Sequence, residues 1–188
     1  MTRWEPNARG RLELAALELY SERGYDQTTV SEIARRAGLT ERTFFRHFAD
    51  KREVLFAGSG PLQERLVRGI GEAPDGLAPI DVVGATFESA AEVFGARSTM
   101  AGLRQAVVAA NPELRERELI KLAALAAALA DALRERGVAD PAASLAAEAG
   151  VAVFKIAFGR WAGGTDEESL KQVIQDSMAE LKTVAAGS

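Results

Sequence analysis

Two short helical patterns separated by a tight turn, in residues 28–51, constrain the fold of this chain more than any other feature. Thr29 and Glu32 have the spacing of a capping box, which predicts a helix that begins just after Thr29. Gly38 predicts the end of that helix, because glycine adopts the left-handed backbone conformation at little cost. Thr40 predicts the N-cap of a second helix.

This second helix is expected to have an apolar and a polar face. Phe44 and Phe48 are four residues apart, so both rings are expected to face inward. The side chains left to face outward are those of Arg42, Thr43, Phe45 and Arg46. Two helices joined by a short turn, the second of them basic and hydroxyl-bearing, predict a helix-turn-helix of the kind that binds double-stranded DNA.

The same stretch resembles the DNA-binding segment of TetR-type bacterial transcriptional regulators, through the run IARRAGLTERTFFRHF followed by ADKREVL. The residues at family spacing are Ala34, Gly38, Leu39, Phe45, His47, Phe48 and Lys51. The resemblance implies an all-α protein. It also implies a helix-turn-helix DNA-binding domain in residues 1–50 and a helical ligand-binding and dimerisation domain in residues 51–188.

The rest of the sequence fits an all-α chain. Apolar periodicity, interrupted by glycine and proline, predicts about nine helices and no strand. The predicted ranges after the helix-turn-helix are 51–70, 79–94, 98–109, 111–136, 141–161 and 166–185, preceded by a first helix that ends near residue 22. Gly58, Gly60 and Pro61 predict a break within the first of these ranges. Thr165 and Glu168 predict a second capping box.

The composition argues against several other functions. The chain has no cysteine and a single histidine, His47, which excludes disulfides and multi-histidine metal sites. It also lacks a phosphate-binding loop and paired carboxylates at metal-ligand spacing, so we expect neither an enzyme nor a cofactor. No signal peptide is recognised, and the apolar run 122–130 is shorter than the roughly 18 residues of a membrane span. A cytoplasmic protein without a membrane partner is expected.

The charge distribution agrees with DNA binding at one end of the chain. The formal net charge is -4, yet basic residues outnumber acidic ones in residues 1–52 and the reverse holds in residues 53–188. A basic N-terminal part on an acidic remainder is typical of a protein that contacts DNA with one part of its surface.

Within the second helix, Arg42 is the first candidate for reading bases, because its planar guanidinium suits O6 and N7 of guanine. Thr43 is short enough to contact a base edge or a thymine methyl group. Arg46 is either a DNA contact or a solvated charge. The family resemblance implies phosphate contacts for Thr28, Thr40, His47 and Lys51. Phe45 stands where the family usually has tyrosine, so it keeps a ring for a sugar or a thymine methyl group but lacks the hydroxyl that would bond a phosphate.

Small residues on the last two helices predict a homodimer, since small side chains let helix axes approach closely and a helix-turn-helix usually reads paired half-sites. The resemblance to TetR-type regulators implies the same arrangement, because these proteins dimerise through their last two long helices. The predicted interface consists of Ala146, Gly150, Val153, Ala157, Ile174, Ser177, Met178 and Leu181. The alternative is that both helices are buried within one chain.

The resemblance further implies a cavity for a small, mainly apolar inducer. Candidate lining residues are Phe87, Phe94, Met100, Leu103, Arg104, Val107, Leu122, Phe154, Lys155, Phe158 and Trp161. Packing in the core is the alternative for the apolar members of this set. The function implied is that of a repressor released from a pseudo-palindromic operator by its ligand. An activator, or a regulator without a small-molecule ligand, is the alternative.

Overall fold

The computed structural model describes residues 7–94, 99–164 and 168–187. These residues form nine α-helices and contain no strand, which confirms the predicted all-α class. The helices are α1 (Ala8–Arg23), α2 (Val30–Arg36), α3 (Glu41–His47), α4 (Ser59–Glu72), α5 (Pro79–Ala91), α6 (Thr99–Ala110), α7 (Pro112–Glu135), α8 (Ala142–Gly163) and α9 (Leu170–Ala186). Short 3-10 helices follow α3 and α5, at Glu53–Phe56 and Glu92–Phe94.

The predicted break near Gly58 is confirmed, although the segment before it differs from the prediction. Residues 53–56 form a 3-10 helix instead of the first turns of a long α-helix. Asp50 caps this turn, because its Oδ1 accepts hydrogen bonds from the backbone N–H groups of Arg52 at 2.8 Å and Glu53 at 3.1 Å. A turn at residues 57–58 then separates it from α4.

Two predicted helix starts fall outside the described residues. These are the capping box at Thr165 and the start of α6 at Ser98. Within the described residues, α9 begins at Leu170, and the hydroxyl of Ser169 accepts a hydrogen bond from the N–H of Gln172 at 3.2 Å. A hydroxyl at this position satisfies one of the N–H groups that the first turn leaves unpaired.

The described residues divide into two compact units. Unit 1 comprises the described part of Met1–Gly58 together with Leu103–Glu118. Unit 2 comprises Ser59–Gly102 and the described part of Leu119–Ser188. The division into domains at residues 50 and 51 stays a prediction, and the segment 103–118 was not predicted to join the N-terminal helices.

Unit 1 is organised around α1, which packs against both α2 and α3. Its apolar stripe is buried as predicted, through Leu12, Ala15, Ala16, Leu19 and Tyr20. Facing these are the buried side chains of Ile33 and Ala34 on α2 and of Phe44 and Phe48 on α3. Because α2 and α3 are short, they depend on this shared core to remain helical.

Unit 2 is built around α5, α8 and α9, each of which packs against the other two. Helix α8 is long and apolar enough, by length and composition, to cross a membrane. Its buried side chains instead belong to the core of unit 2, as the core residues Ala147, Val151 and Ala157 illustrate. A core helix passes the same test of length and composition, so this feature is weak evidence for a membrane span.

The small residues of α8 pack inside this core, and this corrects the predicted dimer interface. Residues Ala146, Gly150, Val153, Ala157, Ile174, Ser177 and Met178 are all buried, and Leu181 packs partly buried against the same cluster. Gly150 faces α5 so closely that a Cβ atom there would lie 2.2 Å from Cγ1 of Val83. The small residues therefore allow the helices of one chain to approach, and they offer no surface to a partner.

Gly150→Ala is expected to lower the free energy of unfolding by about 1–2 kcal/mol, measured by urea denaturation. Overpacking against Val83 costs about 1–3 kcal/mol, which outweighs the gain of up to about 1 kcal/mol from replacing a helical glycine. Gly159→Ala is the matched control on the same helix, because a Cβ atom there meets nothing within 4 Å. Equal stability of the two variants would contradict this packing.

Candidate DNA-binding surface and ligand site

The turn between α2 and α3 has the predicted geometry. The capping box at Thr29 is complete. The side chain of Glu32 accepts a hydrogen bond from the N–H of Thr29 at 2.9 Å, and the N–H of Glu32 donates a hydrogen bond to the hydroxyl of Thr29. Gly38 adopts a φ of +65°. The hydroxyl of Thr40 accepts a hydrogen bond from the N–H of Thr43 at 3.2 Å and so caps α3. The caps fix where α2 and α3 begin, and the buried rings of Phe44 and Phe48 decide which face of α3 is exposed.

The exposed face of α3 carries Arg42, Phe45 and Arg46. Phe45 is 55% exposed, whereas Phe44 beside it is completely buried. The two rings meet edge to face, with centroids 5.5 Å apart. Thr43 lies at the margin of this face, half-buried and within 3.1 Å of the Thr40 hydroxyl. The predicted outward orientation is observed for Arg42, Phe45 and Arg46, whereas Thr43 is only partly exposed.

The two arginines of this face differ from most arginines of unit 1. Arg23 pairs with Glu32 at 3.0 Å, and Arg36 pairs with Glu22 at 2.8 Å. Arg42 and Arg46 make no hydrogen bond or ion pair within the described part of the chain. Two unpaired guanidinium groups beside an exposed ring form a surface suited to an anionic, partly apolar partner.

The structure does not support the predicted phosphate contact of Thr28. Its side chain is 1% exposed, and its hydroxyl donates a hydrogen bond to the carbonyl of Gly24 at 2.9 Å. The hydroxyl thus satisfies a carbonyl near the end of α1 and leaves no surface for a phosphate. We assign Thr28 to the core of unit 1.

Thr28→Val is therefore expected to lower the free energy of unfolding by about 1–2 kcal/mol, because a buried hydrogen bond is lost. Its effect on DNA affinity should be negligible well below the melting temperature. Thr183→Val is the matched control, since the exposed Thr183 makes the same type of bond to the carbonyl of Ala179 at 3.1 Å. Thermal melts and anisotropy titrations measure the two effects. A folded Thr28→Val protein with weakened DNA binding would contradict the assignment.

Lys51 and His47 are half-buried at the edge of the same unit. Lys51 donates hydrogen bonds to the carbonyls of Tyr25 and Thr28 at 2.9 and 3.0 Å, and its ammonium lies 4.2 Å from the centre of the Tyr25 ring. One N–H of the ammonium remains for a further partner. Nε2 of His47 is buried and has no hydrogen-bond partner among the described residues. Any contact of His47 with DNA would therefore use Nδ1.

Polar contacts in unit 1 also connect the 3-10 turn to the segment 103–118. Arg104 donates to the carbonyl of Leu55 at 2.8 Å and pairs with Glu118 at 3.1 Å. Arg117 pairs with Glu53 at 2.6 Å. The guanidinium of Arg104 is thus engaged within unit 1, which corrects the prediction that it lines the ligand cavity. The sequence contained no local signal for these contacts, because the partners are 49, 14 and 64 residues apart in the chain.

Unit 2 contains a cluster of aromatic rings from the predicted ligand site, formed by Phe87, Phe94, Phe154, Phe158 and Trp161. Phe87 and Phe154 are stacked, with centroids 5.0 Å apart. Trp161 lies 5.5 Å from Phe158 and 6.2 Å from Phe94. Trp161 is 3% exposed, and its Nε1 has no hydrogen-bond partner among the described residues. The cluster therefore combines a large apolar surface with an unpaired donor.

The other predicted ligand residues are divided between the two units. Met100 and Leu122 belong to unit 2 and are half-buried, whereas Leu103 and Val107 belong to unit 1. Lys155 is exposed on α8. A surface depression of about 430 Å³ beside Trp161 is lined by Arg160, Trp161, Glu168 and Val173, among others.

Comparison with known proteins agrees with this geometry. The family model described as bacterial regulatory proteins of the tetR family matches residues 14–57, which contain α2, α3 and the turn between them. Residues 14–57 therefore match the TetR family. The HTH-type transcriptional regulator TcmR of Streptomyces glaucescens is 36% identical over 81 residues, which is 43% of this chain and 36% of TcmR. The match therefore spans little more than a third of that relative.

Solved TetR-like structures cover nearly the whole chain. The FadR repressor of Thermus thermophilus in complex with lauroyl-CoA is 26% identical, with a TM-score of 0.52 over 93% of both chains. The FadR regulator of Bacillus subtilis in complex with stearoyl-CoA is 20% identical, with a TM-score of 0.62 over 92% of this chain and 96% of that one. At 20% identity, the likeness to the Bacillus subtilis protein shows a shared fold and no more.

The chain also has an exposed apolar stripe that was not predicted from the sequence. On α8, Leu145 is 65% exposed and Ile156 is 59% exposed. Ala149 and Ala152 lie between them, half-buried and exposed respectively. The spacings of four, three and four residues place all four side chains on one face of the helix, opposite the face that packs on α5. We call this set the α8 stripe.

Proposed function

We propose that the chain is a transcriptional regulator that binds a pseudo-palindromic DNA operator as a homodimer and leaves it when a small, mainly apolar ligand binds. The observation that carries the proposal is the exposed face of α3. There, Arg42 and Arg46 have no partner within the described residues, whereas the exposed Arg23 and Arg36 of the same unit are paired. The match of residues 14–57 to the tetR family supports the same function. Repression is the favoured mode of action, and a cytoplasmic location without a membrane partner accompanies it.

Each DNA contact has a distinct proposed role. Arg42 and Thr43 contact base edges in the major groove, where a guanidinium binds guanine and a short hydroxyl side chain fits near thymine. Arg46, Thr40 and the free N–H of Lys51 contact phosphates and so position α3, together with His47. Thr28 is omitted, because its hydroxyl is buried and bonded.

The proposed dimer interface is the α8 stripe. Leu145 and Ile156 expose large aliphatic side chains, and the alanines between them let a second helix approach. Pairing the stripe with its copy in a second chain gives a two-fold axis, which suits an operator with two half-sites.

The proposed ligand site is the aromatic cluster of unit 2. An apolar ligand would pack on the rings, and Nε1 of Trp161 would donate a hydrogen bond to an oxygen of the ligand, which relieves the cost of a buried unpaired donor. The two FadR proteins that share this fold are described in complex with acyl-CoA molecules, which supports a ligand with an extended apolar part. Release of DNA requires that the ligand bind more tightly to the dimer in which the two α3 helices have moved apart than to the dimer that binds DNA.

Selection from a pool of random-sequence duplex DNA at moderate salt tests the proposal. The expected result is enrichment of a sequence with two inverted half-sites about one helical turn apart. Enrichment of no sequence would overturn the proposed function. Selection of a single half-site would instead overturn the dimer. With the operator known, a reporter assay with and without the protein distinguishes repression from activation.

A further inference from the structure

We propose that Phe45 reads thymine through its C5-methyl group, so that each operator half-site contains a thymine whose methyl group contributes to affinity. This inference rests on the proposed DNA-binding function and assigns a specificity to one side chain of that surface. The ring lies on the exposed face of α3, on the same side of the helix as Arg42 and Arg46.

Packing holds the ring in place. Phe45 meets Phe44 edge to face at an interplanar angle of 82°, and Phe44 itself is completely buried. The position of Phe45 is therefore set by the core of unit 1, although 55% of its surface is exposed. A ring that is both exposed and held in place loses little conformational entropy when a partner covers it.

The chemistry of the ring limits what it can recognise. Phenylalanine has no hydrogen-bond donor or acceptor, so it cannot bond a phosphate or the polar edge of a base. The major groove presents one apolar group, the C5-methyl of thymine. The unpaired guanidinium groups at positions 42 and 46 draw α3 towards the DNA, and the ring beside them on the same exposed face then meets the base edges. Contact with thymine then buries apolar surface on both partners.

Uracil substitution in the selected operator tests this assignment, because deoxyuridine differs from thymidine only by the methyl group. Each thymine pair related by the two-fold axis is replaced in turn, and affinity is measured by fluorescence anisotropy. For the unsubstituted protein, we expect one symmetry-related pair of positions at which the replacement lowers affinity about tenfold. Each buried methyl group contributes roughly threefold to fourfold to affinity, and the dimer loses two of them. Other positions should change little.

Two variants distinguish Phe45 from its neighbours. Phe45→Ala should bind the thymine operator more weakly and should no longer distinguish it from the uracil form. Arg46→Ala should also bind more weakly but should keep the full distinction, since the ring is intact. Equal affinity of the unsubstituted protein for thymine and uracil operators would overturn the assignment. Retained distinction in Phe45→Ala would overturn it as well. Failure to select any operator would refute the proposed function itself.

Discussion

Arg42→Ala is expected to reduce affinity for the selected operator by roughly 30-fold or more while leaving the fold intact. A bidentate contact between arginine and guanine contributes about 1–3 kcal/mol of discrimination, and a dimer loses this contact in both half-sites. The fold should persist because the side chain is exposed and has no partner within the described residues. Anisotropy titrations against operator and random duplexes at one salt concentration measure the loss, and thermal melts verify the fold.

Arg36→Ala is the matched control, because it removes the same charge from the same unit. Arg36 lies on α2 and already pairs with Glu18 at 3.2 Å and Glu22 at 2.8 Å. We expect the control to affect operator and random DNA alike, and only slightly. Arg42→Ala should remove the preference for the operator, whereas the residual binding should remain steeply dependent on salt. Equal losses in both variants would mean that Arg42 contributes general charge and reads no base.

The sequence predicted unit 1 well because its signals are local. The cap at Thr29, the left-handed glycine at position 38 and the cap at Thr40 each act over three or four residues, and all are observed. Phe44 and Phe48 are buried as their spacing predicted. Thr28 was misassigned, because its position in the motif gave no information about the direction of its hydroxyl. That direction depends on the end of α1, which a motif does not describe.

The sequence predicted the faces of α8 without showing which of them would be buried. Small residues and bulky residues each recur at helical spacing on this helix, and either face could have met a partner. The choice depends on α5, which brings Val83 so close that Gly150 has no room for a side chain. Such a contact joins residues that are far apart in the chain. Leu145 and Ile156 then remain exposed on the opposite face.

The same physical limit applies to the ligand site. Periodicity identified the five aromatic residues that meet in unit 2. It could not show that Arg104 is engaged by the carbonyl of Leu55 and by Glu118, since these partners are brought together only by the folded chain. The unpaired Nε1 of Trp161 likewise emerges from the packing around it. Polar anchors are therefore harder to predict than apolar linings.

The double variant Leu145→Glu, Ile156→Glu is expected to raise the dissociation constant of the homodimer roughly a hundredfold or more. Pairing of two α8 stripes would bury four unpaired carboxylates, and each incurs a large desolvation cost. The isolated protomer should stay folded, because both side chains are more than half exposed. Sedimentation equilibrium measures the association, and circular dichroism verifies the fold.

Two comparisons make this result specific to the α8 stripe. Leu77→Glu introduces a carboxylate at another exposed leucine, in the connection between α4 and α5, and should leave the dimer unchanged. Ile174→Glu places the charge at a completely buried position of α9 and should unfold unit 2, because the carboxylate has no partner in the core.

If the double variant still sediments as a dimer, the α8 stripe is not the interface. If it sediments as a monomer, affinity for the full operator should fall towards that for one half-site, because each α3 must then bind without its partner.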